Sequence, residues 1–206
     1  QFAGVARNNG LKKATGKYVI FWDSDDFFEP DALCVMYERA ESVGADIVVC
    51  NSFAYDDENQ CDIEWNMSYN PAYMPSNEVF SKYDIPEYIF WICVAWSWDK
   101  LFNREFILKN NLHYGDDRTE EDVQFVFVAL AVAERITTVE NALIHYRKYN
   151  PNSLENSRDD YWESTIKMFE SFLEELKIRK LDILLRKSYD NFIAMHMIAV
   201  LSMLGD

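Results

Sequence analysis

The period of apolar and polar positions changes several times along this chain, and each change marks an element. Val5 to Ala14 has helical spacing, and Gly16 ends it before Lys17 to Trp22, whose branched and aromatic residues suit a buried strand. Pro30 and Asp31 fit the first turn of a second helix, with Leu33, Met36, Tyr37 and Ala40 along one face before Gly44. "ADIVVCNSF" then reads as another buried strand. Strand, helix and strand joined this closely predict a βαβ unit with a right-handed, parallel crossover, and hence an α/β fold.

Residues 56–83, rich in Asp, Asn, Pro and Tyr, read as irregular loop or short antiparallel strands, and "DIPEYIFWICVAW" as a helix packed on the sheet. Thr119 is a good N-cap for "EEDVQFVFVALAVAE", a helix apolar nearly all round and therefore buried. "RITTVENALIHYRKY" predicts two short strands around a turn at Glu140 and Asn141. From Arg158 to Leu204, Trp162, Ile166, Phe169, Leu173 and Leu176 recur at helical intervals before a second amphipathic stretch, so two helices close the chain.

Composition narrows the partners. The 206 residues are 49% hydrophobic and 16% aromatic, enough for one sizeable core or two small ones. Against 20 Lys and Arg stand 35 Asp and Glu, and a net charge of −15 repels phosphate backbones, so no nucleic acid partner is expected. Cys34, Cys50, Cys61 and Cys93 show no CxxC spacing and read as reduced thiols. No signal peptide is expected from the opening residues of the chain. Its longest apolar stretch, Phe192 to Leu204, is interrupted by His196 and Ser202 and falls short of the roughly 18 to 20 residues that span a bilayer. The expectation is a cytoplasmic protein, with room for peripheral contact at the inner face of the membrane.

"YVIFWDSDDFFEP" carries the chemistry. In an open parallel sheet, ligands bind beyond the carboxyl ends of the strands, where Asp23, Asp25 and Asp26 would sit. A D-x-D pair there offers hard oxygen ligands to Mg²⁺ or Mn²⁺, and the metal would resolve the repulsion among the carboxylates. The competing reading is an acidic turn whose aspartates cap the helix near Pro30. An EF-hand loop from Asp23 fails, because Phe28 and Cys34 stand where Gly and a carboxylate are required. A haloacid-dehalogenase-type phosphatase would want Thr or Val where Phe27 stands.

"GVARNNGLKKATGKYVIFWDSDDFFEPDAL" closely resembles the family 2 glycosyltransferases of the GT-A fold, in which an A-R-N-x-G-L helix leads into a strand ending D-S-D-D, a proline and a helix. "WSWDKLFNREFI", "EED" before an apolar helix, and "HYRKYNPNS" resemble later motifs of that family, so the likeness runs to about Ser153. It implies a metal-dependent, inverting transfer from a nucleotide-diphosphate sugar, a UDP-sugar favoured, to a glycan or lipid-linked acceptor in surface polysaccharide assembly. Asp23 would face the ribose or share the metal, Asp25 would bind Mn²⁺ or Mg²⁺, and Arg7 and Asn8 would lie under the nucleotide. Asp122 would be the general base, and Arg147 with His145 would add positive charge near the diphosphate.

Other roles for these residues stay open. Thr119 and Asp122 also spell a capping box, T-x-x-D; Arg7 and Arg147 also suit surface ion pairs, and His145 a structural histidine. Trp91, Trp96 and Trp98 read as core or as an acceptor platform, and Lys100 as an acceptor contact or a solvated side chain. Family members ordinarily begin with a strand, a helix and a second strand that hold the nucleotide base, whereas this chain starts at "QFAGVARNNGL". The expectation is a GT-A-like domain over 1–155 lacking its N-terminal portion, with a helical extension over 156–206 and an exposed sheet edge open to self-association. Two other functions fit the same letters: a non-catalytic binding or scaffolding fragment, and a Mg²⁺-dependent phosphohydrolase.

Overall fold

The structure, a computed structural model, describes residues 2–63, 68–115, 120–148 and 162–203. Thr119, Ser153, Arg158 and the 155/156 boundary lie outside the described residues. In chain order the elements are α1 (Ala3–Lys13), β1 (Tyr18–Val19), β2 (Phe27–Phe28), α2 (Ala32–Val43), β3 (Ile47–Asp56), β4 (Cys61–Ile63), β5 (Lys100–Asn103), α3 (Arg104–Lys109), α4 (Glu121–Val132), β6 (Ile136–Lys148), α5 (Trp162–Ile178) and α6 (Arg186–Met203).

The strands form one sheet in the order β1-β5-β3-β6-β2, with β4 paired to β3. Its period of two sorts side chains between two cores. Ile47 and Val49 of β3 face a core built with α3, α4, α5 and α6, whereas Val48 and Cys50 face α2 through Met36 and Ala40. Gly44 closes α2 in the left-handed conformation, φ 61°, which glycine adopts without a Cβ penalty. Helix α4 is buried nearly all round, as its pattern predicts, and Phe169, Phe172 and Leu176 of α5 and Tyr189 of α6 join the same core. Among the described residues no helix is long and apolar enough to cross a membrane.

Several expectations need correction. The βαβ strands run parallel, but β5 lies between β1 and β3 and pairs antiparallel with both. The expected strand Lys17–Trp22 is paired only at Tyr18–Val19, and the acidic residues form a turn into β2, which pairs antiparallel with β6. "DIPEYIFWICVAW" buries Ile89, Phe90, Ile92 and Cys93 yet forms successive turns instead of a helix. Trp91 N–H bonds the Tyr88 carbonyl three residues back, and Phe90 N–H bonds Ser188 Oγ of α6, so tertiary partners replace the helical ladder.

The turn expected at Glu140 and Asn141 is a bulge inside one continuous strand. Val49 pairs with Thr138 and Asn51 with Ala142, so the extra β6 residues loop out and both halves keep one direction. Leu33 and Tyr37 of α2 point outward with Tyr18 and Ile20 into an open groove of about 520 Å³, while Ala32, Met36 and Ala40 face the sheet. Ile166 of α5 is likewise exposed.

Lys100 is neither solvated nor an acceptor contact. It is fully buried, and its Nζ donates to Asp99 Oδ1 at 2.7 Å, the Trp96 carbonyl at 2.7 Å and the Val94 carbonyl at 2.9 Å. Trp98 is core; Trp96 stacks on it at 4.8 Å and on Tyr146 at 5.5 Å, and Trp91 packs edge-on against Tyr73.

Candidate active site

Three segments distant in sequence meet at Arg7. Helix α1 presents its guanidinium to the acidic turn on one side and to the first turn of α4 on the other. Nη2 donates to Asp23 Oδ1 at 2.8 Å, and Nη1 donates to Glu121 Oε1 at 2.8 Å and Asp122 Oδ1 at 2.9 Å. Burial opposes charge on Arg7, but Asp122 and Asp23 outweigh it and hold the cation more firmly than usual.

Asp122 is the least comfortable member of this cluster. Burial raises its carboxyl to about 7; Arg7 opposes that rise, and Glu121 and Asp23 add to it. A carboxylate poised near neutrality and fixed in the first turn of a helix has the properties of a general base.

Asn8 clamps the backbone of Tyr114: its Nδ2 donates to the Tyr114 carbonyl and its Oδ1 accepts the Tyr114 N–H, both at 3.0 Å. What it contributes to the site is therefore the placing of α1. Close approach at Gly4 makes this docking possible. A Cβ there would lie 2.3 Å from the Gly115 carbonyl oxygen and 3.0 Å from Glu121 Cγ. Gly4→Ala is expected to destabilise the protein by about 1 to 3 kcal/mol in urea unfolding, because α1 and the start of α4 must separate. An unchanged unfolding midpoint would show that the contact yields freely.

The second half of the acidic turn meets β6. Asp26 Oδ1 accepts the Arg147 N–H at 2.9 Å, and Arg147 Nε donates to the Asp25 carbonyl at 2.8 Å. Arg147 Nη1 also binds Asp57 at 2.6 Å, and its guanidinium lies over Phe27 and Tyr55. Burial pushes Asp26 up to about 7; the Arg147 N–H works against this, and Asp25 and Asp23 reinforce it. His145 sits one step inward, stacked on Phe27 and bonded to Asp62 at 2.6 Å and Glu29 at 3.0 Å. The structure thus gathers Arg7, Asp23 and Asp122 in one cluster, with Arg147 at the far side of the same turn and His145 buried behind it.

Asp25 is exposed at the apex of the turn. Among the described residues no three His, Cys, Asp or Glu side chains converge as a metal cage. Mg²⁺ and Mn²⁺ sites of the phosphate-binding kind need only one or two carboxylates, so Asp25 with Asp23 fits that chemistry. Asp26 Oδ2, buried and without a hydrogen-bond partner, adds an unsatisfied oxygen at the same turn.

Sequence reasoning missed Glu121, Gly4 and Glu120. Glu121 was legible as part of the acidic run that opens α4, but Gly4 had no local signal. Glu120 holds φ 64° immediately before α4, and its Oε1 accepts from Thr165 of α5 at 3.2 Å and meets His196 Nε2 of α6 at 2.8 Å. The last two helices therefore brace the end of α4 that carries Asp122.

Known proteins share this arrangement of the chain. It is 29% identical over 203 residues to EpsH of Bacillus subtilis, covering 95% of this chain and 56% of EpsH. It is 31% identical over 141 residues to the cholesterol galactosyltransferase of Borreliella burgdorferi, covering 66% and 39%. The structure of S. aureus TarS 1-349 in complex with UDP-GlcNAc superposes with a TM-score of 0.63 at 17% identity, over 91% of this chain and 52% of that one, which shows a shared GT-A-type fold. The chain thus spans 56%, 39% and 52% of the lengths of these three proteins. The model of glycosyl transferase family 2 matches residues 1–107, which contain the A-R-N helix, Arg7 and the acidic turn, and the chain belongs to that family.

Proposed function

We propose that this chain carries the acceptor-activating and metal-binding part of an inverting transfer of a sugar from a nucleotide-diphosphate donor, a UDP-sugar favoured. The observation that carries the reading is Arg7, which ties Asp23 of the acidic turn to Asp122 of α4 and so sets a neutrality-tuned base beside the candidate donor site. Asp122 would take the proton from the acceptor hydroxyl as it attacks the anomeric carbon. Arg7, and Arg147 once released from Asp57, would offset negative charge on the departing diphosphate. A divalent cation at Asp25 and Asp23 would supply Lewis-acid stabilisation of that leaving group when bound.

The acceptor is proposed to be a glycan or a lipid-linked glycan in surface polysaccharide assembly at the cytoplasmic face of the membrane. A lipid acceptor has a parallel in the cholesterol galactosyltransferase of Borreliella burgdorferi. Self-association would use β1, which ends the sheet beside the groove of Tyr18, Ile20, Leu33 and Tyr37.

Calorimetric titration of UDP, with and without Mn²⁺, into this chain and its Asp25→Ala variant tests the donor site. Metal-dependent binding that the variant loses is the expected result. Binding by neither protein would show that the chain is not by itself a donor-binding unit. Release of phosphate from a small phosphoester with no acceptor present would favour hydrolase chemistry at Asp23 instead.

A further inference from the structure

Helix α4 carries Asp122 on its first turn, yet it does not begin as helices ordinarily do. An N-cap is commonly Ser, Thr, Asp or Asn in extended conformation, its side-chain oxygen turned back to the free N–H groups of its own helix. Here the N-cap is Glu120, left-handed at φ 64° and ψ 14°, and its side chain makes no hydrogen bond to the helix it starts. A residue with a Cβ is strained in that conformation, and partners outside the local sequence must hold it there.

Those partners come from α5 and α6. Glu120 Oε1 accepts from Thr165 Oγ1 at 3.2 Å and lies 2.8 Å from His196 Nε2. Neither partner is free to drift. Thr165 is buried, and the His196 ring is set edge-on to Phe169 of α5 at 5.5 Å and tilted against Phe192 of its own helix, also at 5.5 Å. The Glu120 side chain is only 13% exposed, and its Oε2 is buried with no hydrogen-bond partner among the described residues. The carboxylate thus forgoes both solvation and capping to keep its contacts with the two downstream helices. Its backbone meanwhile opens α4. The Glu120 carbonyl accepts the Val123 N–H at 3.2 Å, and Glu121 and Asp122 follow directly onto Arg7.

We propose that Glu120 is a positioning residue for the site, fixed by His196 and Thr165: held in the left-handed conformation, it aims the next two carboxylates at the Arg7 guanidinium. Helices α5 and α6 are then part of the working site. A misplacement of about 1 Å can slow a reaction about 10²-fold, so a brace of two side chains is enough to matter. The effect on rate rests on Asp122 acting as the base, whereas the placing of the Arg7 partners does not.

NMR of the arginine side-chain ¹H–¹⁵N groups in the full chain reads this placing without donor or acceptor, beside Glu120→Gly, His196→Leu and His196→Gln. Glycine adopts the left-handed backbone freely but has no carboxylate. Leucine suits the Phe169 and Phe192 surround but cannot donate, and glutamine keeps a donor near the Nε2 position. In the unaltered chain, Nη1 and Nη2 of Arg7, tied to different carboxylates, should give separate signals. They should merge in Glu120→Gly and His196→Leu and stay separate in His196→Gln. In the first two variants kcat for sugar transfer should fall about 10- to 100-fold while KM for the donor holds. Separate signals in Glu120→Gly and His196→Leu, even with lowered unfolding midpoints, would overturn the proposal and leave these contacts as packing alone. Merged signals in the unaltered chain would overturn it too, since Arg7 would then not hold the cluster. Signals that merge with no fall in kcat would leave the brace standing and remove Asp122 as the base.

Discussion

Asp122→Asn is expected to lower the rate of sugar transfer by about 10³-fold while leaving donor binding nearly intact, because positioned general bases contribute roughly 10²- to 10⁴-fold. The check is UDP release in the presence of acceptor, set against UDP affinity by calorimetry. A loss below tenfold would make Asp122 a helix-end carboxylate and no more. The pH dependence gives a second reading. Burial raises this carboxyl from its ordinary 3.8 to about 7, so the rate should climb with pH through about 7 as the basic form appears. Stability should run the opposite way. A carboxyl whose folded pKa lies above its unfolded value favours the folded state below about pH 4, and that contribution fades as pH rises through about 7. In Asp122→Asn both slopes should flatten, and thermal unfolding between pH 4 and 8 measures the second without any substrate.

Replacing Arg7 by Met is expected to destabilise the fold by about 3 kcal/mol, near the lower end of the range for breaking a buried ion pair. The lower end applies because Asp23 remains 37% exposed and water softens its share. The variant leaves buried Glu121 and part-buried Asp122 without their cation, so Asp122 should titrate still higher. Arg7→Lys should recover only part of the loss, since one ammonium cannot match a planar fork that serves three carboxylates. The Arg7→Met, Asp122→Asn double variant separates pairing from packing. If the pair matters, the double change should cost clearly less than the sum of the singles in urea unfolding. Simple additivity would mean that Arg7 acts on stability through Asp23 and Glu121 alone.

Much of the site was visible in the letters because its motifs are local. The A-R-N helix, the D-S-D-D turn and the acidic start of α4 each declare themselves within a few residues, and Arg7, Asp23 and Asp122 do converge. Other parts were decided by contacts that no local spacing encodes. Asn8, expected under the nucleotide, also pins the backbone of Tyr114, a partner that no spacing in the sequence announces. Lys100 looked like any lysine until Asp99 and two carbonyls enclosed it. Glu120 owes its partners to helices more than forty residues downstream.

The sequence by itself determined where most helices and strands lie, since periods of 3.6 and 2 arise from the backbone and need only near neighbours. It also determined the acidic turn and the family resemblance. Only the tertiary structure decided the neighbours in the sheet, the bulge that makes one strand of β6, the failure of "DIPEYIFWICVAW" to become a helix, and the face that α2 leaves open. Strand pairing and burial are contests among distant segments. Each is settled by which apolar faces can close over the same core, and that is a property of the whole chain together.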